Sequence, residues 1–424
     1  MNVYLHDLAT FVPEHRATQE ALGRYFADRI GDAATARVLR HVFQRSGIEH
    51  RHSVVPDFTA PEQARLFRRA EDGRMLQPGT HERNQVFAEF AGPIHVALAR
   101  RLLAGPGGFA PEDVTHVITV SCTGFVNPGP DWNLVTELGL APTVERYNLG
   151  FMGCYAALPA LRMARQFCQA RPDAVVLVVS LELCSLHMQM SASADAVLAN
   201  ALFSDGAAAA LVSARRPAPN LPALVLGEFL SALAPEGQGD MAWEIGSHGF
   251  NLVLSSYVPD VIAANLDRVV GDLLALGGRS LADVDVWAIH PGGKSILDKA
   301  EKSLGLAPPQ LAASRAVLRD FGNMSSATVL FVLERLLRQP GDEPQAIAAM
   351  AFGPGLTIEC GLLEYRPARM AADHVDVELA AAAPHPGPLS IEWGEGDRLV
   401  PRSPNEWGRP PEGPLKPATT TRVS

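Results

Sequence analysis

The chain has 424 residues, 47% hydrophobic and 19% charged, which excludes a disordered protein and a small disulfide scaffold and gives length for two or three cores. A formal charge of -10 and a pI near 5.7 argue against a nucleic-acid or anionic-membrane partner, leaving room for a local basic patch that serves a phosphorylated ligand. The five cysteines, Cys122, Cys154, Cys168, Cys184 and Cys360, are odd in number and include no CxxC pair, so neither a disulfide framework nor a zinc site is indicated and a reducing compartment is expected.

The opening MNVYLHDLATFVPEHR lacks a basic start followed by an apolar run, and the longest greasy stretch, AVVLVVSLELCSL, is too short to span a bilayer; a soluble cytoplasmic protein without a membrane span is expected. ARVLRHVFQRSG carries Arg37, Arg40, His41 and Arg45 on one basic segment. Apolar runs then predict strands at 115–122 (THVITVSC), 174–182 (AVVLVVSLE), 207–213 (AAAALVS), 285–290 (DVWAIH) and 345–352 (QAIAAMAF). YAALPALRMARQFCQA and SSATVLFVLERLLRQ carry apolar residues at helical spacing, and this alternation predicts an α/β fold. Beyond Arg366 the chain contains ten prolines and little periodicity, so 367–424 is expected to be a disordered or loosely docked tail, in which SIEWGEGDRLV could add a strand.

The order repeats. Asp113-Val114 before one strand returns as Asp283-Val284 at an offset of 170, and Gly153-Cys154 before one helix returns as Gly322-Asn323 at an offset of 169. These landmarks predict a duplicated fold with halves 1–214 and 215–366, joined near Pro217, Pro219 and Pro222. Duplication would place Cys154 and Asn323 at equivalent helix starts, both directed at a shared site. His290 ends a strand before the turn Pro291-Gly292-Gly293, where ligand sites in α/β proteins gather. A helix start stabilises a thiolate at Cys154, and an imidazolium at His290 would lower its pKa further. Singly, each residue has a plainer reading: a buried cysteine, a structural histidine, an Asn N-cap.

GFMGCYAA, IHPGGKSILD, FGNMSSATVLFVLE and FGPGLTIE, in this order, resemble the type III polyketide synthases, the chalcone synthase-like branch of the thiolase superfamily, as do LFSDGAAAALV and SCTGFVNPGPD. The resemblance runs from Tyr4 to Tyr365. It implies a duplicated, five-layered αβαβα homodimer that uses CoA thioesters as substrates and needs no cofactor or metal. By motif, Cys154 would be the acyl-accepting nucleophile, with His290 and Asn323 donating to the enolate of decarboxylated malonyl-CoA. An Asn amide donates without titrating, whereas an Asp would repel that charge.

Phe203 matches a gatekeeping phenylalanine between CoA tunnel and cavity, while the second gatekeeper aligns with Leu252, a departure that would widen the passage. Cys122 and Cys184 stand where plant relatives carry threonines, making the wall less polar. Asn127 replaces a methionine that crosses the dimer interface. Ala351 replaces the first glycine of the closing loop, in which Gly353, Pro354 and Gly355 remain and would bound the substrate. Arg45, with Arg40, would meet the CoA phosphates, and Lys294 is a further candidate. The resemblance implies condensation of an acyl-CoA starter, favoured as fatty acyl, with malonyl-CoA to an alkylpyrone or alkylresorcinol-type product. The alternatives are a malonyl-only synthase of a small aromatic product, a ketoacyl-carrier-protein synthase of the third type, and a catalytically silent thiolase-fold binding protein.

Overall fold

The computed structural model describes residues 1–30, 33–339 and 341–368; past Ala368 the expected tail lies outside the described residues. In chain order the first half comprises β1 (Tyr4–Phe11), β2 (His15–Thr18), α1 (Gln19–Ala27), α2 (Ala33–Arg45), β3 (His50–Ser53), α3 (Thr80–Leu103), β4 (His116–Ser121), α4 (Pro130–Leu138), β5 (Glu145–Gly150), α5 (Ala157–Ala170), β6 (Val175–Leu183), α6 (Ala194–Leu202) and β7 (Asp205–Ser213). After the proline-rich joint come β8 (Ala223–Leu233), the hairpin β9 (Met241–Gly246) and β10 (Gly249–Leu254), α7 (Val258–Leu276), β11 (Val286–Ile289), α8 (Lys294–Leu304), α9 (Ala312–Phe321), α10 (Thr328–Arg338), β12 (Gln345–Gly353) and β13 (Thr357–Arg366).

Nine strands hydrogen-bond in the order β11-β12-β13-β8-β1-β7-β6-β4-β5. Reading outward from the β1/β8 junction, both sides follow one rule. The first two pairings, β1–β7–β6 and β8–β13–β12, are antiparallel, and the next, β6–β4 and β12–β11, is parallel. Between the half-sheets the strand register pairs Tyr4 and Leu5 of β1 with Val225 and Leu224 of β8.

Between the half-sheets lie α5 and α10, both in one core with residues from β1, β4, β7, β8 and β12. In α10, eight of eleven residues are buried, Thr328 through Leu333 without interruption, as a helix enclosed on all sides requires. β6 and β7 are buried at every position, hence apolar runs rather than alternation. β12 shows the layering directly: Ile347, Ala349 and Ala351 face the middle helices, while Ala348, Met350 and Phe352 join the core beneath α7 and α8. Helix α3 covers the outer face of the first half. The result is the thiolase-like five-layer arrangement. No helix among the described residues is long and apolar enough to cross a membrane.

Burial holds several histidines neutral. Those of His6, His52, His95 and His187 are pushed down to about 4 and that of His290 to about 3. A base depressed in the fold contributes stability that is complete above its unfolded value near 6.5 and is lost as pH falls through the folded value. Asp205, raised to about 7 by burial, acts oppositely, since it holds a proton in the fold, and so do Glu182 and Glu359, both raised. The histidines outnumber these acids. Stability should therefore fall between pH 6.5 and 4, read as a decreasing urea midpoint; a midpoint unchanged or rising over that range would contradict this account.

Candidate active site

The cavity floor is built from strand ends. Cys122 follows β4, Cys184 follows β6, and Cys154 lies in the turn after β5, so three adjacent parallel strands deliver three thiols to one end of the half-sheet, where α/β folds place ligands. All three line one cavity of about 320 Å³ with Phe203, Leu252 and Ser325. Phe203 enters at the C-terminus of α6 and pairs by an isolated bridge with Asn323.

The turn carrying Cys154 is tightly constrained. Gly153 has φ +94°, and a Cβ there would lie 2.5 Å from the Trp243 ring and 2.8 Å from Pro354 Cδ, so only glycine fits both the backbone and the space. Cys154 stands two residues before Ala156, the N-cap of α5, which corrects the placement at the helix start: the thiol faces the approach to the helix, not its first turn. Asn323 likewise precedes a short 3-10 turn, Ser325–Ala327, that leads into α10, and is not that helix's N-cap.

The Asn323 side chain is fixed at both ends. Its Oδ1 accepts from the Ser325 N–H at 2.9 Å, and its Nδ2 donates to the Gly292 carbonyl at 3.1 Å, which orients the amide hydrogens and leaves one for another acceptor. The Ser325 and Asn323 side chains lie close enough to the Cys154 thiol to favour its ionised form. His290, 1% exposed, is held by its backbone N–H to Met350 O at 2.7 Å, and its Nε2 lies 3.5 Å from where a Cβ on Gly292 would be. Thus Asn323 comes beside Cys154 from the second half, and the Gly292 carbonyl that holds its amide lies two residues after His290; neither His290 nor Asn323 is among the residues lining the cavity.

The electrostatics depart from the sequence expectation. Burial pushes the Cys154 thiol up to about 12, with Ser325 and Asn323 pulling it back, and pushes His290 down to about 3. Neither ring nitrogen of His290 has a hydrogen-bond partner. With both groups buried, desolvation favours a neutral thiol and a neutral imidazole over the ion pair.

Two other expectations change. Gly353 and Pro354 do not line the cavity: a Cβ on Gly353 would meet the Tyr155 ring at 2.3 Å, and Pro354 faces Gly153, so the closing loop bears on the back of the nucleophile turn. The wall at Cys122 is not made apolar by its thiol, because Cys122 Sγ donates to the buried Glu182 carboxylate at 3.4 Å and contacts Ser325 Oγ at 3.3 Å. Glu182 also accepts from the Cys122 N–H, from Thr123 and from Ser326, the partners a buried carboxylate requires.

Sequence reasoning missed several lining residues. Phe250, on the same face of β10 as Leu252, lines the cavity as well, stacked 3.9 Å from His187. An aromatic ring therefore remains in the wall that Leu252 was expected to open, and the period-2 rule for strands carried the signal. Trp243 adds an Nε1–H without a partner. Arg40 and Arg45 are exposed on α2 and do not reach the cavity. Beside α2, Thr35, Val38 and Val42 line a groove of about 410 Å³ with Ala194, Val197 and Leu198, on the opposite face of α6 from the cavity. Lys294, paired with Asp298 at 2.5 Å, packs its stem on Gly47, two residues past Arg45. Asn127 lines a separate hollow with His95 and Asp131, outside the catalytic cavity.

A duplicated thiolase-like fold with a cysteine and an asparagine brought together from its two halves defines a condensing enzyme. Residues 3–216 match the model for chalcone and stilbene synthases, N-terminal domain, and residues 228–366 that for the C-terminal domain, so the chain belongs to the chalcone and stilbene synthase family and is a type III polyketide synthase, an acyltransferase acting on CoA thioesters. It is 33% identical over 361 residues to the alpha-pyrone synthesis polyketide synthase-like Pks18 of Mycobacterium tuberculosis, covering 84% of this chain and 89% of that one. Among solved structures it is similar to PKS-I of the brown alga Ectocarpus siliculosus (TM-score 0.79, 30% identity, 86% of this chain and 98% of that one). It is also similar to 1,3,6,8-tetrahydroxynaphthalene synthase of Streptomyces coelicolor A3(2) (TM-score 0.75, 30% identity, 86% and 100%).

Access separates the five thiols. Cys122, Cys154 and Cys184 open onto the cavity, whereas Cys168 and Cys360 are sealed in the two cores. Brief iodoacetamide treatment of the folded protein, read by peptide mass spectrometry, should modify only the first three; equal labelling of Cys168 or Cys360 would contradict the described packing.

Proposed function

We propose that this synthase transfers an acyl group, favoured as fatty acyl, from CoA to Cys154, extends it with malonyl-CoA and releases an alkylpyrone or alkylresorcinol-type product. The observation that carries the catalytic part is the contact of the Cys154 thiol with the doubly anchored Asn323 side chain. Cys154 Sγ attacks the thioester carbonyl while its proton passes to His290 Nε2; the CoA thiolate leaves and takes a proton. A neutral imidazole, as burial favours, is the form able to accept that proton. Malonyl-CoA then loses CO2, and its enolate oxygen accepts hydrogen bonds from Asn323 Nδ2–H and from the His290 ring.

Support for a fatty acyl starter comes from Met188, Ala196, Ala199, Phe203 and Leu252 in the wall, and support for a pyrone product from the mycobacterial relative, an alpha-pyrone synthesis polyketide synthase-like protein. Phe250 stacked on His187 favours a second reading, a malonyl-only synthase with a shorter cavity. Arg45, Arg40 and Lys294 are proposed to meet CoA phosphates at the end of α2. A cytoplasmic homodimer is proposed from the exposed Phe125, Val126 and Trp132 around the Asn127 loop, an apolar patch suited to a second copy.

Cys154→Ala should abolish condensation. Asn323→Ala should slow malonyl-CoA decarboxylation by about 10² to 10³-fold while acyl loading persists, with released CO2 and intact acyl-enzyme mass as the two readouts. Loss of loading with decarboxylation intact would remove Asn323 from the donor role.

Starter length decides between the two readings. Each added methylene of an acyl-CoA should improve apparent affinity by roughly three- to fourfold, from about 0.8 kcal/mol of burial, until the cavity ends, and Leu252→Phe should move the optimum to shorter chains. A flat profile, or efficient turnover of malonyl-CoA alone to an aromatic product, would favour the malonyl-only reading.

A further inference from the structure

We propose that Arg51 is a positioning residue of the condensing site, clamping the end of α6 so that Phe203 and Asn323 are held in register across the two halves; the inference rests on the donor role proposed for Asn323. A helix leaves its last carbonyls without intrahelical partners, and at α6 the C-cap satisfies the first and the other three have partners from elsewhere in the chain. Phe203 N–H returns to Ala199 O at 3.1 Å, Arg51 Nη1 donates to Asn200 O at 2.6 Å, Gln19 Nε2 donates to Ala201 O at 2.7 Å, and the Asn323 N–H donates to Leu202 O at 2.9 Å. The same Arg51 nitrogen donates to Phe203 O at 2.8 Å, and Ser204 N–H to Asn323 O at 2.9 Å.

One guanidinium nitrogen on β3 therefore holds Asn200, ahead of the segment that pairs with Asn323, and Phe203 at the centre of that segment. The approach is closer still at Gly322: φ is +73°, and a Cβ would sit 2.9 Å from Arg51 Cγ and 3.1 Å from Leu202 O. Arg51 is buried, and its Nε and Nη2 find no partner. Such orphan donors lower stability, so this guanidinium is poorly explained as mere filling. Its charge also complements the negative end of the α6 dipole.

The mechanism does not route a proton or a bond through Arg51. Its effect reaches the chemistry through the placement of the Asn323 amide, and an error of about 1 Å in such a group can cost about 10²-fold. Starter attack at Cys154 does not require that placement. A clamp thus separates the two half-reactions, whereas general loosening would lower both together.

The test compares Arg51→Met and Arg51→Lys in the full chain by acyl loading, malonyl-CoA decarboxylation and hydrogen exchange of peptides spanning 200–204 and 321–324. Arg51→Met should load starter normally, lose about 10² in decarboxylation and exchange faster in both peptides; Arg51→Lys, able to reach one carbonyl well, should fall between it and the parent. Equal losses in loading and decarboxylation, or unchanged exchange in both peptides, would overturn the clamp and leave the Asn323 role standing. Faster exchange with decarboxylation untouched would instead overturn the donor role of Asn323. If Arg51→Met does not accumulate as folded protein, Arg51→Lys decides the matter by the same ratio of decarboxylation to loading.

Discussion

The contact between Cys154 and Asn323 joins residues 169 positions apart in sequence, and the architecture around it can be understood as a means of making that contact without adjustment. Neither residue belongs to a helix or strand; each follows a glycine with positive φ, Gly153 at +94° and Gly322 at +73°. Such turns are conformationally costly for any other residue, and both are pinned from the opposite half. Pro354 and Trp243 press on the first, Arg51 and Leu202 border the second. The two half-sheets share only a short junction at β1 and β8, so their mutual position depends on the middle helices and on these interlocks.

The chemistry is set in a medium that opposes charge. Cys154, His290, Glu182 and Asp205 are all displaced toward their neutral forms by burial. That bias suits a site in which charge must exist only transiently, on sulfur during attack and on oxygen after decarboxylation, because fixed donors in a dry pocket then act with little reorganisation. Around Glu182 fixed donors offset part of that bias by favouring the ionised carboxylate: the Cys122 N–H at 3.0 Å and Thr123 Oγ1 at 2.9 Å, with Ser326 added.

Much of this was legible in the sequence, and the omissions have physical causes. The strands that carry uninterrupted apolar runs, β4, β6, β7 and β12, were evident because burial on both faces removes alternation. β13 was not, since TIECGLLEYR mixes Glu359, Gly361 and Glu364 into the run; Glu359 is tolerated there by Arg162 at 3.2 Å. Cys154, His290 and Asn323 could be named from motifs, yet their electrostatic state could not, because desolvation depends on what closes over them. Phe250 and Trp243 carry no motif of their own, and the β9–β10 hairpin that bears them with Leu252 meets the site only through its placement in the fold. Gly353 and Pro354 were recognisable as a loop, but which side of the nucleophile turn that loop supports is decided by packing against Tyr155.

Helix α6 has a consequence for how such an enzyme can diversify. One face, with Ala196, Ala199 and Asn200, borders the reaction chamber, while the other, with Ala194, Val197 and Leu198, borders the groove under α2. The helix is thus a partition a single element thick, with its far end fastened independently of either face. Substitutions on one side can reshape the chamber where the chain grows, and substitutions on the other can reshape the outer groove, without one set obliging the other to change. Product range and the outer surface become separately adjustable characters of one nine-residue segment.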